Sequence, residues 1–333
     1  MAKTTIYDIA KEAGVSIATV SRVINKSEGI ADKTRKKVLK VADELGYHPQ
    51  AYAQGLARNK KNIIMVVVPV LSNYFFMEVL AGIQDEMTNY KYDLNIFNVG
   101  SNSEESMFHE VENILKRGWA DGYLFISTHM QEQQLEKLKR HDMPITLIDE
   151  SFSGSDSVTV NNEEGVQKAM DYFLESGYER IAMISAMKSS KPSKQRIDGY
   201  KKALKKADMP VDEQLIMTGD SMYRDGFSEE NGYEAMSKLL ELPNPPEACF
   251  CSSDIQAVGA LKAMKEKGVE IPVIGYDDIT ISNYIGLSTI RQPMYDMGMY
   301  ATKRLMNKMK NSKLTPTHKE FTPELVLRSS TDV

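Results

Sequence analysis

Between residues 63 and 278, apolar runs of strand length alternate with longer segments in which apolar residues recur at helical spacing. The first set reads IIMVVV, DLNIFNV, GYLFIS and ITLID, with helices expected to end near Asn89, Lys116 and Arg140. The pattern restarts with a helix over 166–175, then RIAMIS, a helix over 195–207, QLIMTG, a helix over 229–240, ACFCS, a helix to Lys267, and PVIGYD. Nearly continuous apolar strands suit burial on both faces, and the intervening helices carry the chain back so that neighbouring strands run parallel. Two similar α/β lobes with a cleft between them are therefore expected.

Residues 1–61 follow another rule, with helical spacing alone. Thr5 is a candidate N-cap with Asp8 three positions on, and a short helix is expected over 6–13. Gly14 turns the chain at positive φ, and Ser16 caps a second helix over 17–24. A third follows over 32–45, with Val38, Val41, Ala42 and Leu45 apolar and Gly46 ending it. This is a helix-turn-helix. At about 100° per residue, Ile17, Ala18, Ser21 and Arg22 share one face of the second helix while Val20, Val23 and Ile24 share the other. The second stripe has a use against Ile9, Ala10 and the third helix. Ile17 faces outward and should touch something external: a thymine methyl suits it, Ala18 permits close approach, and the planar fork of Arg22 matches guanine O6 and N7. Thr5, Ser16, Thr19, Asn25 and Tyr47 complete the expected DNA-binding set of the head. A helical pair that binds nothing is the bland alternative.

Charge weighs against it. Residues 1–61 hold 12 Lys and Arg against 6 Asp and Glu, whereas the rest of the chain holds 29 against 40. The overall charge of −5 thus averages a basic head with an acidic body. Lys33, Arg35, Lys36, Lys37 and Lys40 give the third helix a basic side, part of it solvated and part within reach of phosphates.

The stretch TIYDIAKEAGVSIATVSRVIN, followed by TRKKVL, GYHP and AYAQGLA, resembles the lactose-repressor/galactose-repressor family of transcription regulators, and the resemblance runs to the end of the chain. It implies a helix-turn-helix head over 1–48, a hinge helix and linker over 49–61, and a two-lobed, periplasmic-binding-protein-like body with parallel sheets over 62–333. The chain would cross between lobes three times, with an N-lobe of about 62–161 and 291–321 and a C-lobe of about 162–290 and 322–333. The segment after Pro49 is about two turns long, too short to be stable alone. In the family it pairs with its symmetry mate in the minor groove, and Leu56 matches the leucine that wedges between base pairs, beside Ala53. Gln54 departs from the Arg common there.

Ligands of open α/β sheets sit beyond the carboxyl ends of the strands. Asn73 to Phe76, Asp149, Ser252 to Asp254, and Asp277 with Asp278 fall there, and Arg196 lies in the helix after SAMKSSKPSK. Carboxylates, one arginine and aromatic rings suit a sugar, with Phe76 as core and Ser253, Asp254 and Asp278 as ordinary helix caps in the bland reading. The resemblance points to Asp149, Arg196 and Asp277 as effector contacts and Phe227 as a ring stacker; Phe75 and Ser253 complete the expected set. Ser253 replaces the Asn of sugar-responsive relatives, and SMYRDGF is longer than usual.

Enzyme and transport functions were weighed. No nucleophile–base pair, phosphate loop or metal cluster is visible, and His48, His109, His129, His141 and His318 do not pair at ligand spacing. No catalytic residue, metal or cofactor is expected. The longest apolar run falls short of the ~20 residues that span a bilayer, and no signal-like core opens the chain, so a cytoplasmic protein without membrane association is expected. Cys249 and Cys251 are expected on opposite faces of a strand, as free thiols. The chain is thus read as an operator-binding repressor with a carbohydrate effector, homodimeric because two-fold symmetry doubles what one recognition helix reads, and with no tetramer expected because no leucine-heptad tail follows Ser330. The alternative is the catabolite control protein branch, which IATVSRVIN, YKY and QPMYD resemble and which a phosphorylated carrier protein governs. There Tyr295, Lys303 and Asn307 occupy the carrier-contacting positions, with Arg304 and Lys308 one step along.

Overall fold

The computed structural model describes residues 4–25, 29–47, 60–71, 73–100, 104–128, 130–187, 190–219 and 226–332. It divides into two compact units, Met1–Asn62 and Ile63–Val333.

In the first unit, α1 (Ile6–Ala13), α2 (Ile17–Ile24) and α3 (Asp32–Glu44) enclose Ile9, Ala10, Ala13, Val20, Val23, Val38, Val41 and Ala42. Thr5 is the N-cap of α1 in a capping box with Asp8, whose carboxylate accepts from the Thr5 N–H at 2.8 Å and the Thr5 hydroxyl at 2.7 Å. The Thr5 hydroxyl lowers the Asp8 pKa. Gly14, at φ 61°, turns the chain between α1 and α2. The third helix is shorter than expected. Leu45 caps it and is 37% exposed, because the left-handed turn at Gly46 takes the chain off the helix before Leu45 reaches the core. The Leu45 carbonyl, which has no helical partner, accepts from the Thr4 hydroxyl at 3.0 Å.

The second unit contains two six-stranded sheets. Its N-lobe begins with β1 (Ile63–Val68), α4 (Tyr74–Met87), β2 (Asp93–Asn98), α5 (Glu104–Arg117), β3 (Gly122–Ile126), α6 (Glu132–Lys139), β4 (Ile145–Ile148) and β5 (Asp156–Val160). The C-lobe follows with α7 (Asn162–Glu175), β6 (Ile181–Ser185), α8 (Lys191–Lys206), β7 (Ile216–Thr218), α9 (Glu229–Leu239), β8 (Ala248–Cys251), α10 (Asp254–Lys267), β9 (Val273–Asp277), α11 (Thr280–Tyr284) and β10 (Ser288–Arg291). The chain then returns to the N-lobe as α12 (Met294–Lys310) and β11 (His318–Phe321), and ends in the C-lobe with β12 (Glu324–Val326). The strand orders are β11-β5-β4-β3-β1-β2 and β12-β10-β9-β8-β6-β7. All pairings are parallel except β10 with β12.

Several elements escaped the hydrophobic pattern. Strands β5 (DSVTV) and β10 (STIR) are rich in hydroxyl residues, and β11 (HKEF) is an exposed edge strand, so none makes a clear apolar run. Helix α8 starts four residues before the expected 195, because Pro192 sits in the first turn, where its missing N–H costs nothing. Helix α7 starts at Asn162 because the Asn161 side chain caps it, accepting from the Glu164 N–H at 3.0 Å. Cys249 and Cys251 also differ from expectation. Residues two apart on a strand share a face, and the two sulfurs lie 3.9 Å apart in one apolar cluster, both buried and both free.

Helices α4 and α12 cover one face of the N-lobe sheet, packing Val79, Ile83, Met297, Ala301 and Leu305 onto Ile64, Val66, Leu124 and Ile148. They meet at backbone distance. A Cβ on Gly298 would stand 2.1 Å from the Val79 carbonyl oxygen, and one on Gly82 2.0 Å from that of Tyr295. Neither obstacle is a side chain that can rotate away. Gly298→Ala should therefore force the helices apart and cost about 1–3 kcal/mol, read as a lower urea midpoint for the body. An unchanged midpoint would show that the helices separate freely.

Candidate functional site

Helix α2 presents the face its spacing predicted. Ile17 is 42% exposed, Ala18 and Arg22 are exposed and Ser21 is half-buried, while Val20 and Val23 are fully enclosed. The Ser16 side chain accepts from the Thr19 N–H at 3.1 Å, and the Asn25 amide donates to the Ser21 hydroxyl at 3.3 Å. Burying about half of an Ile side chain against a partner would recover on the order of 1 kcal/mol. Lys33, Lys36, Lys37 and Lys40 are exposed on α3, and Lys40 pairs with Glu44 at 3.6 Å. Tyr47 packs partly on the head core, and Thr5 holds Asp8. The sequence reading passed over Tyr7, whose ring is 65% exposed. Its signal was position: a tyrosine on the face of α1 opposite Ile9 and Ala13. Ala53 and Leu56 lie outside the described residues.

In the body, Phe75, Asp149, Arg196, Phe227, Ser253 and Asp277 all line one cavity with about 630 Å³ of empty space, open to solvent. The N-lobe contributes the start of α4 and the residues after β3 and β4; the C-lobe contributes α8, the start of α9's approach, and the residues after β8 and β9. Three lining residues have strained backbone: Ser127, Asp149 and Asp277 have φ of 45°, 67° and 122°, conformations uncommon outside glycine.

The polar groups are held from behind. The Ser127 hydroxyl donates to Asp149 at 2.7 Å, and the Gln292 amide donates to Asp277 at 2.6 Å. Arg196 is buried; its Nε donates to Asn162 at 2.8 Å, its Nη1 donates to the Ser252 carbonyl, and its guanidinium lies 3.7 Å from the Tyr276 ring centroid. Phe227 lies on it at 5.9 Å. Burial pushes the Asp277 carboxyl up to about 6, against the pull of Arg196 and Gln292 and with a further push from Asp149. Among the described residues, two buried hydroxyls and one amide oxygen, Ser190, Ser193 and Gln292 Oε1, have no hydrogen-bond partner. Each such group costs about 1–3 kcal/mol unless something else satisfies it.

Ser253 is both cap and wall: it accepts from the Gln256 N–H at 3.3 Å and still lines the cavity. Asp254 and Asp278 face elsewhere. Asp254 is fully buried and accepts from the Ile279 N–H, Ser282 and Thr289 at 2.9, 2.6 and 2.5 Å. Asp278 pairs with Arg291 and Arg328, each at 2.7 Å. Phe76 is buried in the core and also touches the cavity. Ser127, Ser190, Pro192, Ile255 and Gln292 are lining residues that sequence reasoning missed, Gln292 because the strand before it went unrecognised. Among the described residues no cluster of His, Cys, Asp and Glu is placed to hold a metal, and no helix is long and apolar enough to cross a membrane.

On α12, Lys303 and Asn307 are exposed, and Tyr295 is 38% exposed with its hydroxyl on Asp85. Arg304 and Lys308 are turned inward. Arg304 pairs with the buried Asp156 and donates to the Thr315 carbonyl, and Lys308 donates to the Leu314 carbonyl.

Residues 5–50 match the family model described as bacterial regulatory proteins, lacI family, and residues 170–331 match the periplasmic binding protein-like domain. The chain is 34% identical to catabolite control protein A of Priestia megaterium, over 98% of this chain and 99% of that one. Its structure superposes on the lac repressor dimer bound to operator and the anti-inducer ONPF with a TM-score of 0.83 at 25% identity, covering 99% of each chain. A transcriptional regulator CelR–cellobiose complex gives a TM-score of 0.72 at 25% identity, covering 98% of this chain and 100% of that one.

The buried Asp254 generates a pH dependence. Burial, with a push from Asp277, raises its carboxyl to about 8, whereas an unfolded aspartate titrates near about 3.9. Between those values the folded protein holds a proton that the unfolded chain has released, so this group's stabilisation is complete below about pH 4 and is lost as pH rises toward 8. The parent protein should lose more stability than Asp254→Asn between pH 5 and pH 8 in urea unfolding. Parallel losses would mean that Asp254 is ionised throughout.

Proposed function

The chain belongs to the lacI family of bacterial regulatory proteins, which are DNA-binding transcription regulators, and from that premise we propose that it is a repressor that binds a palindromic operator as a homodimer under the control of a small carbohydrate in the interlobe cleft. The carrying observation is the convergence of Phe75 and Asp149 from one lobe with Arg196, Phe227, Ser253 and Asp277 from the other on one open cavity. Paired carboxylates and an arginine suit hydroxyls, and aromatic rings suit the C–H face of a sugar. Residues 1–48 are the DNA-binding head, 49–61 the hinge and linker, and 62–333 the effector-binding and dimerisation body. Ile17, Ala18, Ser21 and Arg22 read the major groove, with Thr5, Ser16, Thr19, Asn25 and Tyr47 around them and Ala53 and Leu56 in the minor groove. A single α2 helix of about 12 Å reads only a few base pairs, and two-fold symmetry doubles the reading.

A second reading is control by a phosphorylated carrier protein on α12. The exposed Tyr295, Lys303 and Asn307 favour it. The inward engagement of Arg304 and Lys308 leaves Lys303 as the one exposed cation of those five positions, too few for strong phosphate recognition.

Arg22→Ala should cost about 1–3 kcal/mol on the operator and relax preference at one guanine, measured by fluorescence anisotropy against operator and random DNA. Equal loss on both would reduce Arg22 to a phosphate contact. Effector and operator should share a coupling of roughly 5- to 150-fold, equal in both directions. If the effector is an inducer, Asp277→Ala should abolish that coupling while leaving ligand-free operator affinity near that of the parent. If the parent's operator affinity ignores sugars and rises with a phosphorylated carrier protein, the second reading replaces the first.

A further inference from the structure

Helix α8 opens on the cleft, and its first turn is built of donors. Ser190, its N-cap, is 4% exposed and lines the cavity, yet among the described residues its hydroxyl caps nothing and has no partner. Ser193, three residues on, is likewise unpartnered among the described residues but fully buried behind the cavity wall rather than lining it. No acidic residue stands in this turn, while Lys191 and Lys194 are exposed beside it. A 16-residue helix adds the partial positive charge of its N-terminus and first-turn N–H groups without helical acceptors.

Across the same cavity the groups are acceptors. Asp149 and Asp277 present carboxylates, and the Gln292 amide oxygen is unpartnered while its NH₂ is spent on Asp277. One wall thus asks for hydrogen-bond donors and the α8 wall for an acceptor of high charge density. A neutral polyol satisfies the first wall and leaves the second incompletely matched. A simple anion would meet two carboxylates.

From these walls we infer that the effector is an anionic sugar, a phosphate ester or a carboxylic acid of a small polyol, with its oxyanion seated on Ser190 and the N-terminus of α8 and its hydroxyls on Asp149, Asp277 and Gln292. The inference rests on the cleft being the effector site. Ser190 supplies the sharpest variant, because aspartate suits an N-cap position and the positive helix end while expelling an anion from it.

Calorimetry on the full chain with glucose, glucose 6-phosphate and glucuronate, with ribose and ribose 5-phosphate, and with inorganic phosphate alone tests this. In at least one set the anionic member should bind about ten- to a hundredfold more tightly than its parent sugar, phosphate against carboxylate identifying the oxyanion. Ser190→Asp should erase that advantage without lowering the melting temperature, and Ser190→Ala should reduce it. Parent sugars that bind as tightly as their anionic forms would overturn the anion inference and leave the cleft reading intact. Phosphate binding that Ser190→Asp does not change would be an adventitious ion only and would overturn it too. No response to any member would overturn the cleft reading itself.

Discussion

The cleft depends on how closely α4 and α12 can approach. Both helices begin at the cavity, α4 with Asn73 to Phe76 and α12 just after Gln292, and both lie on the same face of the N-lobe sheet. The absence of side chains at Gly82 and Gly298 lets their backbones touch, so the two N-terminal ends are fixed relative to each other and to the strands beneath. The C-lobe repeats the device: a Cβ on Gly232 or Gly259 would stand 1.9 Å from a carbonyl oxygen of the facing helix, in the pairing of α9 with α10. Ser253, at the start of α10, is thereby placed as firmly as Phe75. Rigid helix pairs on each side leave relative lobe position as the soft coordinate.

Arg196 and Asp277 are held in the cleft by neutral partners. Arg196 lies against Tyr276 and bonds to Asn162 and the Ser252 carbonyl, so its planar fork is oriented before any ligand arrives. Asp277 sits at a strained φ and keeps one oxygen on Gln292. A group held by neutral partners can exchange some of those bonds for a ligand's, whereas a closed ion pair such as Arg304 with Asp156 cannot without exposing a buried charge. The same contrast separates Asp277 from Asp278, adjacent in sequence, the second of which is committed to Arg291 and Arg328.

What the sequence made legible follows from how local the signal was. The head was readable almost residue by residue, because Gly14, Ser16 and the two faces of α2 are set by spacing within one turn. The six cleft residues were found from strand ends and resemblance, and the cavity gathers all of them. Ser127, Ser190 and Gln292 were missed because a polar residue after a strand or at a helix start looks the same whether it faces solvent or a cavity. Strands β5, β10, β11 and β12 were missed because hydroxyl residues and edge positions mask the apolar period. Leu45 and the Cys249–Cys251 pair failed on geometry: a left-handed glycine removed the first from its core position, and a two-residue period put the second on one face.

The links between the lobes explain how a small ligand can act on lobe angle at all. The chain passes between the sheets after β5, after β10 and after β11, each time through only a few residues. Two of these links are bonded to the charged groups of the cleft: Asn162, just past the first, accepts from Arg196, and Gln292, in the second, donates to Asp277. Asn162 also donates to Gln195 at 2.8 Å, and Lys168 on α7 donates to the Pro323 carbonyl in the third link at 2.7 Å. A ligand that takes a bond from Arg196 or Asp277 therefore competes with the bonds that set the link conformation. Short links have few torsions with which to absorb such a change, so it must appear as a change in the relation of one rigid lobe to the other. In the proposed regulator, binding energy and lobe angle would be coupled through Asn162 and Gln292, two neutral amides that stand at two of the links and bond to the charged groups of the cleft.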